Sequence, residues 1–354
     1  MDNIDIKSYI SRFKERLDGF ISYYLDKLIA SHEENEALSR LYTLFKEAGT
    51  GGKCIRGSLV KLGYEIISGC PAGDEILPAA AAFEILQTGI LGHDDIIDKS
   101  PLRRCRDSIW RAASGRDDDP AARHYGVSQA ICLGDIGIIL ANRLVAESDF
   151  EPPLRYEAMT VFHDVQMNTI DGEMLDVYLS HQKAYGDETG ILQMTRLKTA
   201  WYTVIGPMQL GAVLAGAGRI QKSYIEEFGE SLGIAFQMKD DILGVRASEN
   251  EIGKSNKSDI SEGKVTLLAY YALKNASQSE RERLLSVYGQ ADISESDRQT
   301  VTSIFESTGA FSAVTKRAKS CLAAARGKIP LLTQNETHAV LLNQLVDLMF
   351  FSSV

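Results

Sequence analysis

Several things are scarce in this chain of 354 residues, and each scarcity narrows its class. Cysteine is one: Cys54, Cys70, Cys105, Cys132 and Cys321 are odd in number, scattered and without CxxC spacing, so they read as reduced thiols of a cytoplasmic protein. Basic charge is another. With 38 Lys and Arg against 48 Asp and Glu, the net charge of −10 lacks the footprint of a non-specific nucleic-acid binder. No nucleic-acid partner is expected, and any grip on phosphate must be local. Residues Met1 to Asp5 carry neither the basic region nor the apolar run of a signal peptide, so no export is expected. The most weakly polar stretch, near 206–218, falls short of the roughly 18 apolar residues a membrane span needs. No strand alternation, Asn-Gly hairpin, long linker or solenoid repeat is present, and a single domain over 1–354 is expected.

Helical periodicity is what the chain has. Ile6, Ile10, Phe13, Leu17, Phe20, Tyr24 and Leu28 recur at steps of three and four, predicting a helix over 4–29, and a second passes through Leu38, Leu41 and Phe45. Gly49-Thr50-Gly51-Gly52 then breaks the pattern and delivers Lys53 and Arg56 to the start of the next helix, an end that favours anions. A long helix from about Pro78 runs into the aspartates at 94–98 and is ended by Pro101, with Arg103-Arg104 just beyond. Asp117-Asp118-Asp119-Pro120 has no apolar helix leading into it and reads as a solvated loop. Helical patterns resume at about 127–147, 155–181, 188–205 and 208–217, and then through Phe236, Gln237 and Asp240. A loop at about 246–263 offers Lys254 and Lys257, with Lys264 beyond it, and Ser277-Gln278-Ser279-Glu280 fits a capping box. The expected fold is all-α, with long helices whose inner faces line a deep pocket.

The chemistry concentrates at two helix ends. Gly92-His93-Asp94-Asp95-Ile96-Ile97-Asp98 places three carboxylates in five positions. A helix turns about 100° per residue, so Asp98 lies about 40° around the axis from Asp94 and both project from one face. Like charges at that spacing cost roughly 0.2–0.5 kcal/mol in water, and more among apolar neighbours, so a cation should offset them. Carboxylate oxygens with no Cys and one His suit Mg2+ better than Zn2+, while an EF-hand loop counted from Asp94 would put Lys99 where Gly is required. Asp240-Asp241 follows a second apolar helix, Leu232 to Lys239. One acidic helix end is ordinarily a solvated surface. Two such ends, with bases arriving from separate loops, describe a metal clamp for a substrate diphosphate. If the rest of the substrate is a hydrocarbon between apolar helices, departure of diphosphate leaves a carbocation shielded from water, which an alkene placed against it would capture.

In these motifs the chain resembles the trans-isoprenyl diphosphate synthases, the polyprenyl synthetase family. The resemblance rests on Gly52-Lys53-Cys54-Ile55-Arg56, Gln87, Asp94-Asp95-Ile96-Ile97-Asp98, Leu102-Arg103-Arg104, Lys198-Thr199 and Phe236-Gln237-Met238-Lys239-Asp240-Asp241, in family order. It implies an isoprenoid synthase-type bundle around a deep central pocket. By the same resemblance Asp94, Asp98 and Asp240 hold Mg2+, three ions per site with substrate bound, and Asp95 and Asp241 support them. Arg103, Lys198 and Lys254 would bind the allylic diphosphate (dimethylallyl, geranyl or farnesyl), with Lys264 also on the substrate side and Thr199 and Gln237 lining the pocket. Lys53, Arg56, Gln87 and Arg104 would hold isopentenyl diphosphate. The leaving pyrophosphate is the implied proton acceptor. A homodimer is implied too, with helices such as 127–147 as interface donors.

Three positions depart from the family pattern. Gly244 stands where a third aspartate is usual, Glu173 where Gln is common and Cys105 where Gly is usual; the last two are expected to leave the core chemistry untouched. Product length should be set beneath Asp94. One helical turn rises about 5.4 Å, close to one isoprene unit, so Ile90, Gly89 and Leu86 sample successive depths. In the family, bulky aromatics at the first two positions go with short products. Gly89 is expected to block nothing and Leu86 to form the floor, favouring C20 geranylgeranyl diphosphate over farnesyl or longer products. His93 reads as a packing or hydrogen-bonding residue. A metal phosphohydrolase with His93-Asp94 as its HD pair lacks further His ligands, and a terpene cyclase would not need Lys53, Arg56 and Gln87 for a second diphosphate. A non-catalytic partner subunit has only Gly244 in its favour.

Overall fold

The helical spacing of apolar residues holds along the chain. The structure, a computed structural model describing residues 5–246, 258–290 and 292–351, is all-α there apart from one two-stranded ribbon. Helix α1 (Ile6–Ala30) begins where the Asp5 carboxylate accepts the Lys7 and Ser8 N–H groups, and it buries Phe13, Leu17 and Leu25. Helices α2 (Glu36–Gly49) and α3 (Ile55–Ser68) follow. Contacts divide the chain into two units, Met1–Phe162 with Pro207–Lys222 and His163–Gly206 with Ser223–Val354.

The first unit is built on α4 (Leu77–Ile97), which has Pro78 in its first turn and packs against α1, α2, α3 and α6 (Pro120–Ala146). Ala79 to Phe83 and Leu86 are fully buried. Where α4 crosses α6, a Cβ on Gly89 would lie 2.7 Å from the Gly134 carbonyl oxygen and 3.2 Å from the Gly137 Cα. Glycine is thus what lets the two backbones meet. Between α4 and α6 come β1 (Leu102–Arg103), β2 (Arg106–Asp107) and the short α5 (Ile109–Ala113). α6 starts seven residues before the expected pattern. The acidic run Asp117-Asp118-Asp119 is the exposed loop expected, and its last residue, Asp119, also caps α6 by accepting the Ala121 and Ala122 N–H groups, while Asp118 pairs with Arg111. By length and composition alone, residues Asp74–Ile97 and α6 could each cross a membrane, whereas the sequence pointed only to the stretch near 206–218. Burial marks the first as the core helix of its unit.

The second unit takes the later part of α7 (Pro152–Gln182), then α8 (Glu188–Thr195) and a π-helical segment Arg196–Ile205; α9 (Gly206–Leu214) belongs to the first unit. An unbroken helix was expected over 188–205. The wider turn is seated by glycines: a Cβ on Gly172 would overlap the Lys198 backbone, and one on Gly229 would lie 2.7 Å from Ile205 Cγ1. α10 (Arg219–Arg246) carries the second aspartate pair. Beyond it lie α11 (Ser258–Ser261), α12 (Leu267–Asn275), α13 (Gln278–Val287), α14 (Glu295–Ser307), α15 (Ala310–Leu332) and α16 (Glu336–Phe351). The Ser277–Glu280 capping box is formed, and a second joins Ser294 to Asp297.

Candidate active site

In the first unit the aspartates stay helical to the last residue. Asp98 is the C-cap of α4, and its N–H reaches the Asp94 carbonyl at 2.8 Å, which preserves the one-face spacing. The C-terminal end of a helix is its negative pole, an unfavourable place for carboxylates. Arg103 compensates: Nη2 donates to Asp94 Oδ2 at 2.8 Å and to Asp95 Oδ1 at 2.5 Å, and Nε donates to Asp95 Oδ1 at 2.9 Å. Asp95 is 2% exposed, and burial pushes its carboxyl up to about 6 against the opposing pull of Arg103.

The ribbon that presents Arg103 turns on Arg104 and Cys105, with φ of 53° and 60°. Two left-handed central residues make a type I′ turn, normally the place of Asn-Gly, which is why no hairpin was visible in the sequence. The turn sends Arg103 to the aspartates and brings the Arg104 guanidinium against Gly52, where a Cβ would lie 3.3 Å from Nη1. A cavity of about 660 Å³ is lined by Gln87, Arg103, Arg104 and Asp95 together with Gly51 and Glu84. Lys53, which is exposed, and Arg56, in the first turn of α3, are not part of that lining. Glu84 was missed from the sequence. It accepts the Gly57 N–H at 2.8 Å, burial pushes its carboxyl up, and the Arg56 and Arg104 charges act against that rise. A lone acid three residues before Gln87 in an apolar run was the available signal.

In the second unit the Thr199 hydroxyl donates to Gln237 Oε1 at 2.7 Å, and Gln237 Nε2 donates to Asp241 Oδ1 at 2.8 Å. Burial pushes Asp241 up to about 7; Gln237 opposes this, and the neighbouring carboxylates of Asp259 and Asp240 add to it. Asp95 and Asp241 are thus each raised by burial and each hydrogen-bonded within its own unit, by Arg103 and by Gln237. Lys198, in the π-helical segment, places Nζ 2.7 Å from Glu173 Oε2 and 2.7 Å from Asp176 Oδ2. Glu173, which departs from the family's Gln, thus ion-pairs with the candidate site residue Lys198. Lys264 Nζ lies 3.0 Å from Glu262 and 3.8 Å from Asp259. Lys254 lies outside the described residues. His93 has the hydrogen-bonding place expected of it, with Nε2 3.1 Å from the Ile131 carbonyl and 3.5 Å from Asp135.

Among the described residues no three His, Cys, Asp or Glu side chains gather to hold a metal unaided. Carboxylate oxygens form the donor set, as a hard cation requires.

The sequence placed both acidic pairs at helix ends; α4 does end in its aspartates, whereas α10 continues past Asp240-Asp241 to Arg246. An all-α fold with these two aspartate-bearing helices describes the prenyltransferases that act on diphosphates. The chain belongs to the polyprenyl synthetase family, whose model matches residues 38–306. It is similar to a short chain isoprenyl diphosphate synthase of Methanothermobacter thermautotrophicus, 33% identical over 237 residues that cover 67% of each chain. It is also similar to a geranylfarnesyl diphosphate synthase of Aeropyrum pernix, 31% identical over 303 residues that cover 84% of this chain and 89% of the relative. A solved geranylgeranyl pyrophosphate synthase from Corynebacterium glutamicum, complexed with isoprenyl diphosphate and magnesium, matches with a TM-score of 0.90 and 26% identity over 98% of this chain and 99% of that one. The chain is therefore a prenyltransferase with trans-prenyl diphosphate synthase activity.

Proposed function

We propose that the chain joins isopentenyl diphosphate head-to-tail (1'-4) to an allylic diphosphate, giving geranylgeranyl diphosphate and pyrophosphate, as one polyprenyl synthetase domain over 1–354. The observation that carries this is that Asp94 and Asp98 share one face at the end of α4, with Arg103 beside Asp94, while α10 carries the pair Asp240-Asp241; Asp94, Asp98 and Asp240 would hold Mg2+, three ions per site with substrate, with Asp95 and Asp241 in support. Bound Mg2+ would neutralise diphosphate and improve it as a leaving group. Arg103, Lys198 and Lys254 would take the remaining charge of the allylic diphosphate, with Thr199, Gln237 and Lys264 around it. Lys53, Arg56, Gln87 and Arg104 would hold isopentenyl diphosphate, supported by the shared cavity of Gln87 and Arg104. The allylic C–O bond breaks, the alkene of isopentenyl diphosphate supplies the electron pair for the new C–C bond, and the proton it sheds passes to pyrophosphate. The apolar side chains of Leu86 and Ile90 on α4 would keep water from the cation and limit its length.

We also place the enzyme in the cytoplasm, on its five free thiols, and as a homodimer. Supporting the dimer, α6 exposes Tyr125, Ile131 and Ile139, and α7 exposes Met167, Ile170, Met174 and Tyr178 at helical spacing.

The test is to incubate the purified chain with Mg2+, radiolabelled isopentenyl diphosphate and each allylic diphosphate in turn, then to resolve the products by length. A C20 product is expected. Products ending at C15 or running past C20 would correct the length, and hydrolysis or cyclisation without condensation would overturn the function.

A further inference from the structure

Lys264 stands just beyond α11, on backbone that is held from two other parts of the second unit. Gly263 before it is left-handed, with φ of 66°, and a Cβ there would lie 3.0 Å from the Gly289 Cα and 3.2 Å from the Tyr185 hydroxyl oxygen. Tyr185, in the link between α7 and α8, donates its hydroxyl to the Gly263 carbonyl at 3.1 Å. Tyr288, which follows the last residue of α13, donates its hydroxyl to the Lys264 carbonyl at 2.9 Å. The Lys264 N–H donates to the Asp259 carbonyl at 3.1 Å, and the Gly289 N–H to the Ile260 carbonyl at 2.8 Å. The two tyrosine rings meet edge to face with centroids 5.7 Å apart, and both residues are buried. Burial raises both hydroxyls, Tyr288 well above the ordinary tyrosine range, so both remain donors.

The Gly263 and Lys264 carbonyls belong to the peptide groups on either side of the Lys264 Cα. Holding both fixes the backbone from which this side chain springs, with its Nζ 3.0 Å from Glu262 and 3.8 Å from Asp259. A buried tyrosine ordinarily finds some partner for its hydroxyl. Here two of them, 78 and 24 residues from their acceptors, converge on consecutive carbonyls around one lysine. We propose that Tyr185 and Tyr288 are positioning residues, holding the backbone of Gly263 and Lys264 so that the Lys264 ammonium meets the allylic diphosphate from a fixed point. This rests on the assignment of Lys264 to that substrate. A lysine side chain loses rotamer freedom when it grips an anion, and a backbone already ordered adds nothing to that cost. Both hydroxyls act through Lys264 and take no part in bond making or breaking.

Steady-state kinetics of the full chain with Mg2+, geranyl diphosphate and isopentenyl diphosphate test this, with thermal melting to set an assay temperature at which every variant is folded. Tyr185→Phe and Tyr288→Phe each keep the ring and lose the hydroxyl. Each is expected to raise the KM for geranyl diphosphate roughly three- to tenfold, the range of one lost hydrogen bond, and to leave the KM for isopentenyl diphosphate unmoved. Lys264→Ala is expected to raise the same KM at least as much, and either tyrosine variant added to it to cause no further rise. A wild-type KM in either tyrosine variant while Lys264→Ala raises it overturns this proposal alone. So does a tyrosine effect that persists in full in the Lys264→Ala background, since the hydroxyl would then act on something else. A wild-type KM in Lys264→Ala overturns the underlying assignment as well.

Discussion

Cys105 has φ of 60° at a turn position where a side chain is strained, and so shows why glycine is usual there. Cys105→Gly should raise stability by roughly 0.5–1 kcal/mol, the relief of strain less the added freedom of the unfolded chain, as read from denaturant midpoints. Asp241 offers a test with a pH sign. Its folded carboxyl titrates near 7 rather than at its ordinary 3.8, so the folded state holds the proton more tightly and stability falls as pH rises between those values. A shift of that size is worth on the order of 4 kcal/mol. Asp241→Asn, which can still accept from Gln237, should raise the Tm of the metal-free protein at pH 8 and leave it nearly unchanged at pH 4. Glu173 supplies a third test. Because it shares Lys198 with Asp176, Glu173→Gln should loosen the hold on that cation and lower the KM for the allylic diphosphate several-fold, with the KM for isopentenyl diphosphate unmoved.

At the scale of elements, the helices were legible because burial imposes period 3.6, and the Asp94–Asp98 face was legible because helical geometry fixes it. What escaped notice depends on contacts that no local pattern encodes. The start of α6 is polar and is set by the Asp119 cap, the β1–β2 turn lacks Asn-Gly, and the π-helical segment depends on glycines of other helices. Gly89 illustrates the difference. Its missing side chain was expected to leave a pocket open, whereas the structure uses it for the close crossing of α4 on α6. Gly89→Phe should therefore cost at least about 1–3 kcal/mol through overpacking, seen as a large drop in Tm, before it says anything about product length. Ile90→Phe avoids that contact and should shorten the product while the fold melts normally. An unchanged product from a well-folded Ile90→Phe would remove Ile90 from the set that limits length.

For the whole molecule, the family could be read from six short motifs in order, and the match over residues 38–306 agrees. Contacts were less legible than motifs: Glu84 belongs to no motif, and the pairing of Glu173 with Lys198 appears only once the fold brings them together. The central claim is that Asp94 and Asp98, on one face at the end of α4, act together on the diphosphate of the allylic substrate. A double-mutant cycle on kcat with Asp94→Asn and Asp98→Asn, at saturating Mg2+ and both substrates, tests it most directly. Each single variant should lose on the order of 10²-fold, and the double variant should fall within about tenfold of the worse single, as groups acting together do. A double variant whose loss equals the product of the two single losses would contradict the claim.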